Sequence, residues 1–308
     1  MLDTFADGMM YAVYFAPRGK NRLLSLGHLV AQRHLSPLDK LIGVIGEAGA
    51  GKSLLIKGMF PGLELANDED GVNGRPLPLL NCADKGLFNC HTYHMDVRFE
   101  AGFTQIYTLA EAVKEALSQG KRVIIEHFDL IYPVLGVRAE ILIGIGEEVI
   151  VTRPNIFGPE PQDIVSIVCK SIKYRKMAHT AEDLTCKVLE EHFGCPHSQV
   201  HGDVKHGFVL EFSEKPQVDI GEVEALVKQY IQAEAAICYL DENHIRIGSG
   251  EKFHCTGPRI HVRNAGDIEN FQLVKDYKYD PITGKWALVG LVGAERATDI
   301  NDLNKLGL

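Results

Sequence analysis

Between Leu41 and Ser53 an apolar run, Leu-Ile-Gly-Val-Ile-Gly46, passes through Glu47-Ala48-Gly49-Ala50-Gly51 and ends on Lys52-Ser53-Leu54. The spacing satisfies G-x-x-x-x-G-K-[ST], the Walker A pattern. Glycine has no Cβ, so backbone N–H groups across residues 46–54 can close around a phosphate. The apolar run predicts a buried parallel strand, and residues 53–60 predict a helix whose positive N-terminal end lies under the same phosphates. In such a cradle Lys52 neutralises the β/γ charge and the Ser53 hydroxyl ligates Mg²⁺. The expected cofactors are ATP or GTP with Mg²⁺, and no guanine-reading Asn-Lys-x-Asp is present to choose between the nucleotides.

A phosphate cradle does chemistry only with acids beside it. Residues 63–66 predict a short second strand, followed by Asn67-Asp68-Glu69-Asp70-Gly71. Ligands of doubly wound sheets collect outside the carboxyl ends of the strands, so Asp68 or Asp70 is placed to act as the base on a substrate hydroxyl. Arg122-Val-Ile-Ile-Glu126 reads as a buried strand ending in a carboxylate, which makes Glu126 the second Mg²⁺-ordering group, with Asp129 in reserve. Cys82, Cys90, His91, His94 and Asp96 lie close together in a stretch, 73–103, that reads as irregular; their spacing matches no common zinc finger, and a substrate-covering loop is the expectation.

The elements that must position these groups are spread along the chain. Residues 9–16 predict a strand, 21–34 a helix, 108–119 an amphipathic helix stopped by Gly120, 139–145 and 147–152 two further strands, and 163–172 a helix. Beyond Lys176 a long helix runs to Gly194, then a strand at 209–212 and a helix at 220–237, before a short terminal helix or frayed end from Thr298. A chain of 308 residues favours two domains, placed at 1–175 and 176–308.

Composition sets limits. With 45% hydrophobic residues and no apolar stretch of roughly 18, a membrane span is not expected. The seven scattered cysteines fit a reducing compartment, and the absence of a basic-apolar leader makes the cytoplasm the expected location. A net charge of −9 disfavours a broad nucleic-acid face, and the basic run Lys170-Ser-Ile-Lys173-Tyr-Arg175-Lys176 is expected to be a solvated helix face.

Residues 40–172 resemble the P-loop kinases that phosphorylate uridine or phosphoribulose. The resemblance is carried by the 46–53 loop, by Asp68 or Asp70 where that family places its activating acid, by His94-Met-Asp96 against a His-Pro-Asp element, and by 123–126 against an apolar strand ending in Glu-Gly. It implies ATP, Mg²⁺ and a small hydroxylated acceptor. His127 stands where the family has glycine, and no lid with paired arginines is visible.

Residues 176–294 resemble the second additional domain of alanyl-tRNA synthetase and the free-standing alanyl-tRNA editing hydrolases. His179-Thr-Ala-Glu-Asp183-Leu is similar to that family's His-Thr-Ala-Thr-His-Leu, and His261-Val-Arg-Asn-Ala-Gly-Asp-Ile to its Thr-His-Val-x-Asn-Thr-Gly-Glu-Ile. The resemblance implies an α+β domain with zinc on His179, Asp183, Cys255 and His261. Asp183 replaces a histidine, and alignment on His261 puts Gly257, not Cys255, at the family's cysteine. His192, His197, His201, His206 and Cys195 fall between the motifs, in a solvated loop or along the same cleft. The expected fold is therefore α/β, a P-loop doubly wound parallel sheet, followed by an α+β editing-like domain. The leading functional expectation is a Mg²⁺-dependent phosphotransferase; the alternatives are a metal-dependent aminoacyl-tRNA hydrolase and a nucleotide-gated binding module.

Overall fold

The computed structural model describes residues 11–65, 78–86, 88–195 and 201–293. The chain is mixed α/β and divides into two compact units: Met1–Ala16 with Lys20–Ser171, and Pro17–Gly19 with Ile172–Leu308. Asp68 and Asp70, His197 and the C-terminal tail lie outside the described residues.

The first unit is built on a six-stranded sheet of β1 (Ala12–Phe15), β2 (Leu41–Gly46), β3 (Thr92–Asp96), β4 (Arg122–Glu126), β5 (Ile141–Ile145) and β6 (Glu148–Thr152). Its spatial order is β1-β6-β5-β2-β4-β3. The strands β3, β4, β2 and β5 are parallel, whereas β6 and β1 run antiparallel to their neighbours. The sheet is therefore mixed, not wholly parallel as the sequence predicts. The reason is local: only Gly146 and Glu147 separate β5 from β6, and a two-residue link can only fold back into a hairpin.

Strand β2 is buried along its whole length, as a strand with helices on both faces must be. Helix α1 (Lys20–His34) and helix α2 (Lys52–Met59) flank the glycine-rich turn. From β2 the chain goes to the β3 edge, and from β4 it goes to β5 on the other side. The carboxyl ends of β2 and β4 thus flank the point where the winding reverses, which is where α/β sheets leave a crevice.

Several local expectations change. Residues 63–65 are not a strand; the second strand of the parallel set is β3, inside the stretch read as irregular. Its alternation is hidden because His94 and Asp96 are polar yet buried. Helix α3 (Pro78–Lys85) and helix α4 (Val97–Glu100) flank β3. Helix α5 (Ile106–Ser118) matches its amphipathic pattern, burying Leu109, Ala110, Ala112, Val113 and Ala116. Helix α6 (Phe128–Leu135) escaped the sequence reading because Pro133 sits inside it. Pro133 lies in the sixth position, so the bond it removes is one near the helix's start.

The two helices expected on either side of residues 172–176 are one, α7 (Pro161–Phe193). No glycine or proline interrupts this span, so nothing ends the helix there. Nor is the basic run wholly solvated: Lys170 and Lys173 are exposed, but Arg175 is 1% exposed and donates to the Pro17 carbonyl oxygen at 2.5 Å.

The second unit holds two antiparallel sheets. One comprises β9 (Ile237–Asp241), β10 (His244–Ile247) and β11 (Lys252–His254); the other comprises β7 (His201–Val204), β8 (Gly207–Phe212), β12 (Gln272–Leu273) and β14 (Lys285–Leu291), with β13 (Lys278–Asp280) pairing on β14. Helix α8 (Ile220–Gln232) ends five residues before the predicted limit, and Ile237 opens β9 instead. The apolar face of α7 beyond Ile172, including Met177, Leu184 and Val188, packs with Phe208, Val223, Ile245 and Leu288 into one core.

Candidate functional site

The glycine-rich segment is a turn from strand to helix. Gly51 caps α2 at φ 97°, a left-handed conformation, and a Cβ there would lie 2.2 Å from the Leu23 side chain. Glycine is required on both counts. Lys52 is 5% exposed and folds over the loop: Nζ donates to the Glu47 carbonyl oxygen at 3.0 Å and stands 3.7 Å from Glu126 Oε2. Ser53 Oγ donates to Glu126 Oε1 at 2.8 Å, and His94 Nε2 lies 3.2 Å from that same oxygen. Register puts Asp96 opposite Glu126 at the ends of β3 and β4.

Electrostatics make this a strained meeting of charges. Burial pulls the Lys52 ammonium down, opposed by Glu126 and Asp96. Burial pushes Glu126 up, but hydrogen bonding and charge from His94, with Lys52 and Ser53, more than offset it and keep the carboxylate below its ordinary range. Burial and then Lys52 lower the His127 imidazole to about 4, so it is neutral at pH 7. Asp129 is raised by burial. The buried Lys52 ammonium, with a carboxylate at 3.7 Å and a carbonyl as its close partner, could take an anion, and the Ser53 hydroxyl beside Glu126 could take a cation.

Among the described residues, one group offers metal-ligand spacing: His179, Asp183, Cys255 and His261, whose donor atoms all lie within 4.8 Å of one another. His179 and Asp183 are one turn apart on α7, on the same face. Cys255 follows β11, and His261 follows a loop closed by the Ile260 N–H to Gly257 carbonyl bond. Cys255 Sγ is 3.3 Å from His179 Nε2 and 3.9 Å from His261 Nε2, which is 3.0 Å from Asp183 Oδ2. Tetrahedral zinc with bonds of about 2.0 to 2.3 Å sets its donors about 3.3 to 3.8 Å apart; the 3.3 Å pair falls in that range and the 3.0 and 3.9 Å pairs just outside it, so the donors need only small shifts to hold such an ion.

The outer partners agree with that fit. His261 Nδ1 lies 3.1 Å from the Pro258 carbonyl oxygen, and His179 Nδ1 lies 3.2 Å from Glu182 Oε2. With Nδ1 donating, each Nε2 keeps its lone pair for a metal. Arg18 anchors Glu182 through Nε at 2.8 Å and pairs with Asp203 at 2.9 Å. The Gly257 N–H donates to Cys255 Sγ at 3.3 Å. The cysteine that joins the cluster is thus Cys255; Gly257 lies under it, where a Cβ would come within 2.1 Å of the Arg18 carbonyl oxygen. Burial and then the Asp183 charge push the Cys255 thiol far up, and burial, then His261, pull His179 down. Burial raises Asp183, but His179 and His261 bring it below its usual range.

The remaining sequence candidates scatter. Cys82 Sγ contacts the Tyr93 hydroxyl at 3.7 Å, which also accepts from the Cys90 N–H, while His94 is turned to Glu126. His192 is exposed, His201 begins β7, and His206 stacks on Tyr174 at 3.8 Å. Neither His192 nor His206 joins the quartet. Sequence reading missed the strand that carries Asp96 and Glu182's part beside His179; the signal for Glu182 was its place three residues on, on the same helix face.

The fold and geometry define a mixed α/β protein with a glycine-rich strand-to-helix turn in one unit and a buried His-Asp-Cys-His group in the other. No protein-family model matches the chain, and no curated protein matches it significantly. Among the described residues no helix is long and apolar enough to cross a membrane.

Proposed function

We propose that the chain binds a nucleoside triphosphate with Mg²⁺ at residues 46–54 and transfers its terminal phosphoryl group to a small hydroxylated acceptor. The observation that carries this reading is the meeting of the Lys52 ammonium, the Ser53 hydroxyl and the Glu126 carboxylate at the carboxyl ends of β2 and β4. Lys52 would neutralise the β/γ charge, and Ser53 with Glu126 would hold Mg²⁺, which supplies further charge neutralisation when bound. The acceptor oxygen attacks the terminal phosphorus, the β–γ bridge breaks, and the nucleoside diphosphate leaves. The hydroxyl proton passes to Asp96 at the end of β3, or to Asp68 or Asp70, which lie outside the described residues. Catalysis of this kind is positioning and charge stabilisation. Lys52→Ala is expected to weaken ATP binding about ten- to a hundredfold by calorimetry and to stop ADP formation. Unchanged affinity sinks the reading.

The second unit supports Zn²⁺ on His179, Asp183, Cys255 and His261. Two imidazoles, a thiol and a carboxylate are a zinc-type donor set. Four buried protein donors make a closed site, whereas a hydrolytic zinc keeps a position open for water. That, with the net charge of −9, weighs against an aminoacyl-tRNA hydrolase. Elemental analysis of freshly purified protein is expected to find about one zinc per chain; none would end this assignment.

A further inference from the structure

The two imidazoles of the quartet are oriented by different means. His261 is held by its own loop, Nδ1 lying 3.1 Å from the Pro258 carbonyl oxygen three residues before it. His179 leans on a side chain instead. Its Nδ1 lies 3.2 Å from Glu182 Oε2, and that same oxygen accepts from Arg18 Nε at 2.8 Å, across 164 positions of chain.

Arg18 is buried and engaged on every guanidinium nitrogen. Nη2 donates to Glu182 Oε1 at 3.3 Å and to the Gly202 carbonyl oxygen at 2.9 Å; Nη1 donates to the Gly207 carbonyl oxygen at 3.3 Å and stands 2.9 Å from Asp203 Oδ1. A planar fork so held fixes the carboxylate that it grips. The backbone beside it is held too: the Pro17 carbonyl oxygen accepts from Arg175 Nη2 at 2.5 Å, and the Arg18 carbonyl oxygen lies where a Cβ on Gly257 would come within 2.1 Å of it. Pro17–Gly19 groups with the second unit, although its neighbours in sequence group with the first.

Glu182, paired with a guanidinium, is a carboxylate and can only accept. The hydrogen on its contact with His179 therefore sits on Nδ1, and the Nε2 lone pair faces Cys255 Sγ, 3.3 Å away. A buried ion pair is weak evidence of stabilisation, since apolar residues of similar volume often serve as well. Apolar residues could not hold one imidazole in one tautomer and one direction.

We propose that Arg18 is a positioning residue of the zinc centre: through Glu182 it fixes the tautomer and direction of His179, so that the quartet depends on Pro17–Gly19 for its metal affinity. This rests on the zinc reading of His179, Asp183, Cys255 and His261 and adds the residue that aims one of its donors.

The test measures zinc dissociation constants of the full chain by competition with a chromophoric chelator, and the visible spectrum of the Co²⁺-loaded chain, whose bands are strong for four-coordinate cobalt and weak at higher coordination. Arg18→Ala is expected to weaken zinc about ten- to a hundredfold, as loss of an outer partner does, and to weaken the cobalt bands as water replaces a drifting imidazole. Arg18→Lys keeps the charge without the fork and is expected to fall between that variant and the wild type. Metal-free melts of the same variants measure what Arg18 gives to the fold alone. A zinc constant in Arg18→Ala within about twofold of the wild type, whatever the metal-free melt does, makes Arg18 structural and overturns the proposal. Should Arg18→Ala not fold, Glu182→Gln replaces it: its amide presents N–H as readily as C=O to Nδ1, so a loss of about tenfold is expected and an unchanged constant overturns the role. If the wild-type chain binds no zinc, the quartet assignment itself falls.

Discussion

The groups around the two candidate sites, one in each unit, handle buried charge differently. In the second, the buried charges close on one another: Arg18 pairs with Glu182 and Asp203, Glu182 meets His179, and Asp183 meets His261, with Cys255 against both imidazoles. In the first, Lys52 stands 3.7 Å from Glu126 and leans on a loop carbonyl, His127 is buried without capping its helix, and Glu100 is buried with its pKa pushed up. A set of donors that converge on one point is complete once a cation arrives. In the first unit the buried groups stand apart, on α2, before α6 and at the end of α4, and do not converge on one point. The proposed roles follow that contrast, a cation on the converging donors and a nucleotide at the glycine-rich loop.

Removing the centre of the converging set should have the largest effect. Cys255→Ser, or prolonged treatment with a strong chelator, is expected to abolish bound zinc and to lower the melting temperature by on the order of 10 °C or more, because metal binding to a buried site is itself folding energy. Asp183, buried against two imidazoles, would be left with its charge inadequately matched. A variant that loses metal and melts where the wild type does would show that the quartet is held by the core and needs no ion.

At the loop the effect should fall on rate. Glu126→Gln preserves the shape and its ability to accept from Ser53 and His94, but removes the charge facing Lys52. Phosphoryl transfer is expected to fall on the order of a hundredfold, with little change in melting temperature. If turnover is unaffected while stability drops, Glu126 serves the packing of β4 and the comparison between the units collapses.

How much of this was legible follows from what each site is made of. The loop is made of backbone, and backbone demands leave local signatures: an apolar strand, glycine at Gly51 where a Cβ would strike Leu23, then Lys52-Ser53. The quartet is made of side chains more than seventy residues apart in sequence, His179 and Cys255 in particular. Only the resemblance of the two fragments brought them together; its alignment falls on Gly257, and the sequence reading took the thiol from Cys255, the residue that lies among the other three. Strand β3 was not legible because its buried residues include His94 and Asp96, whose polarity serves the site and breaks the alternation that marks a strand. The single helix α7 was missed because the motifs change at residue 176 while the backbone has no cause to stop.

The most specific effect concerns Glu100, the last residue of α4 and 1% exposed. Burial pushes its carboxyl from 4.5 up to about 8, with the charge of Asp96 adding to the shift. Between those two values the folded chain keeps a proton that the unfolded chain has released. The stability this group contributes is therefore fully present below pH 4.5 and lost as pH rises through 8, at roughly 1.4 kcal/mol per pH unit at most. Glu100→Gln cannot ionise, so the difference in melting temperature between variant and wild type should be near zero at pH 4.5 and widen in the variant's favour up to pH 8. Taking the difference cancels the titration of the chain's other carboxylates. A gap that stays flat with pH would mean that Glu100 is ionised in the folded chain, paired as the acids of the second unit are, and the contrast between the two units would lose one of its three supports.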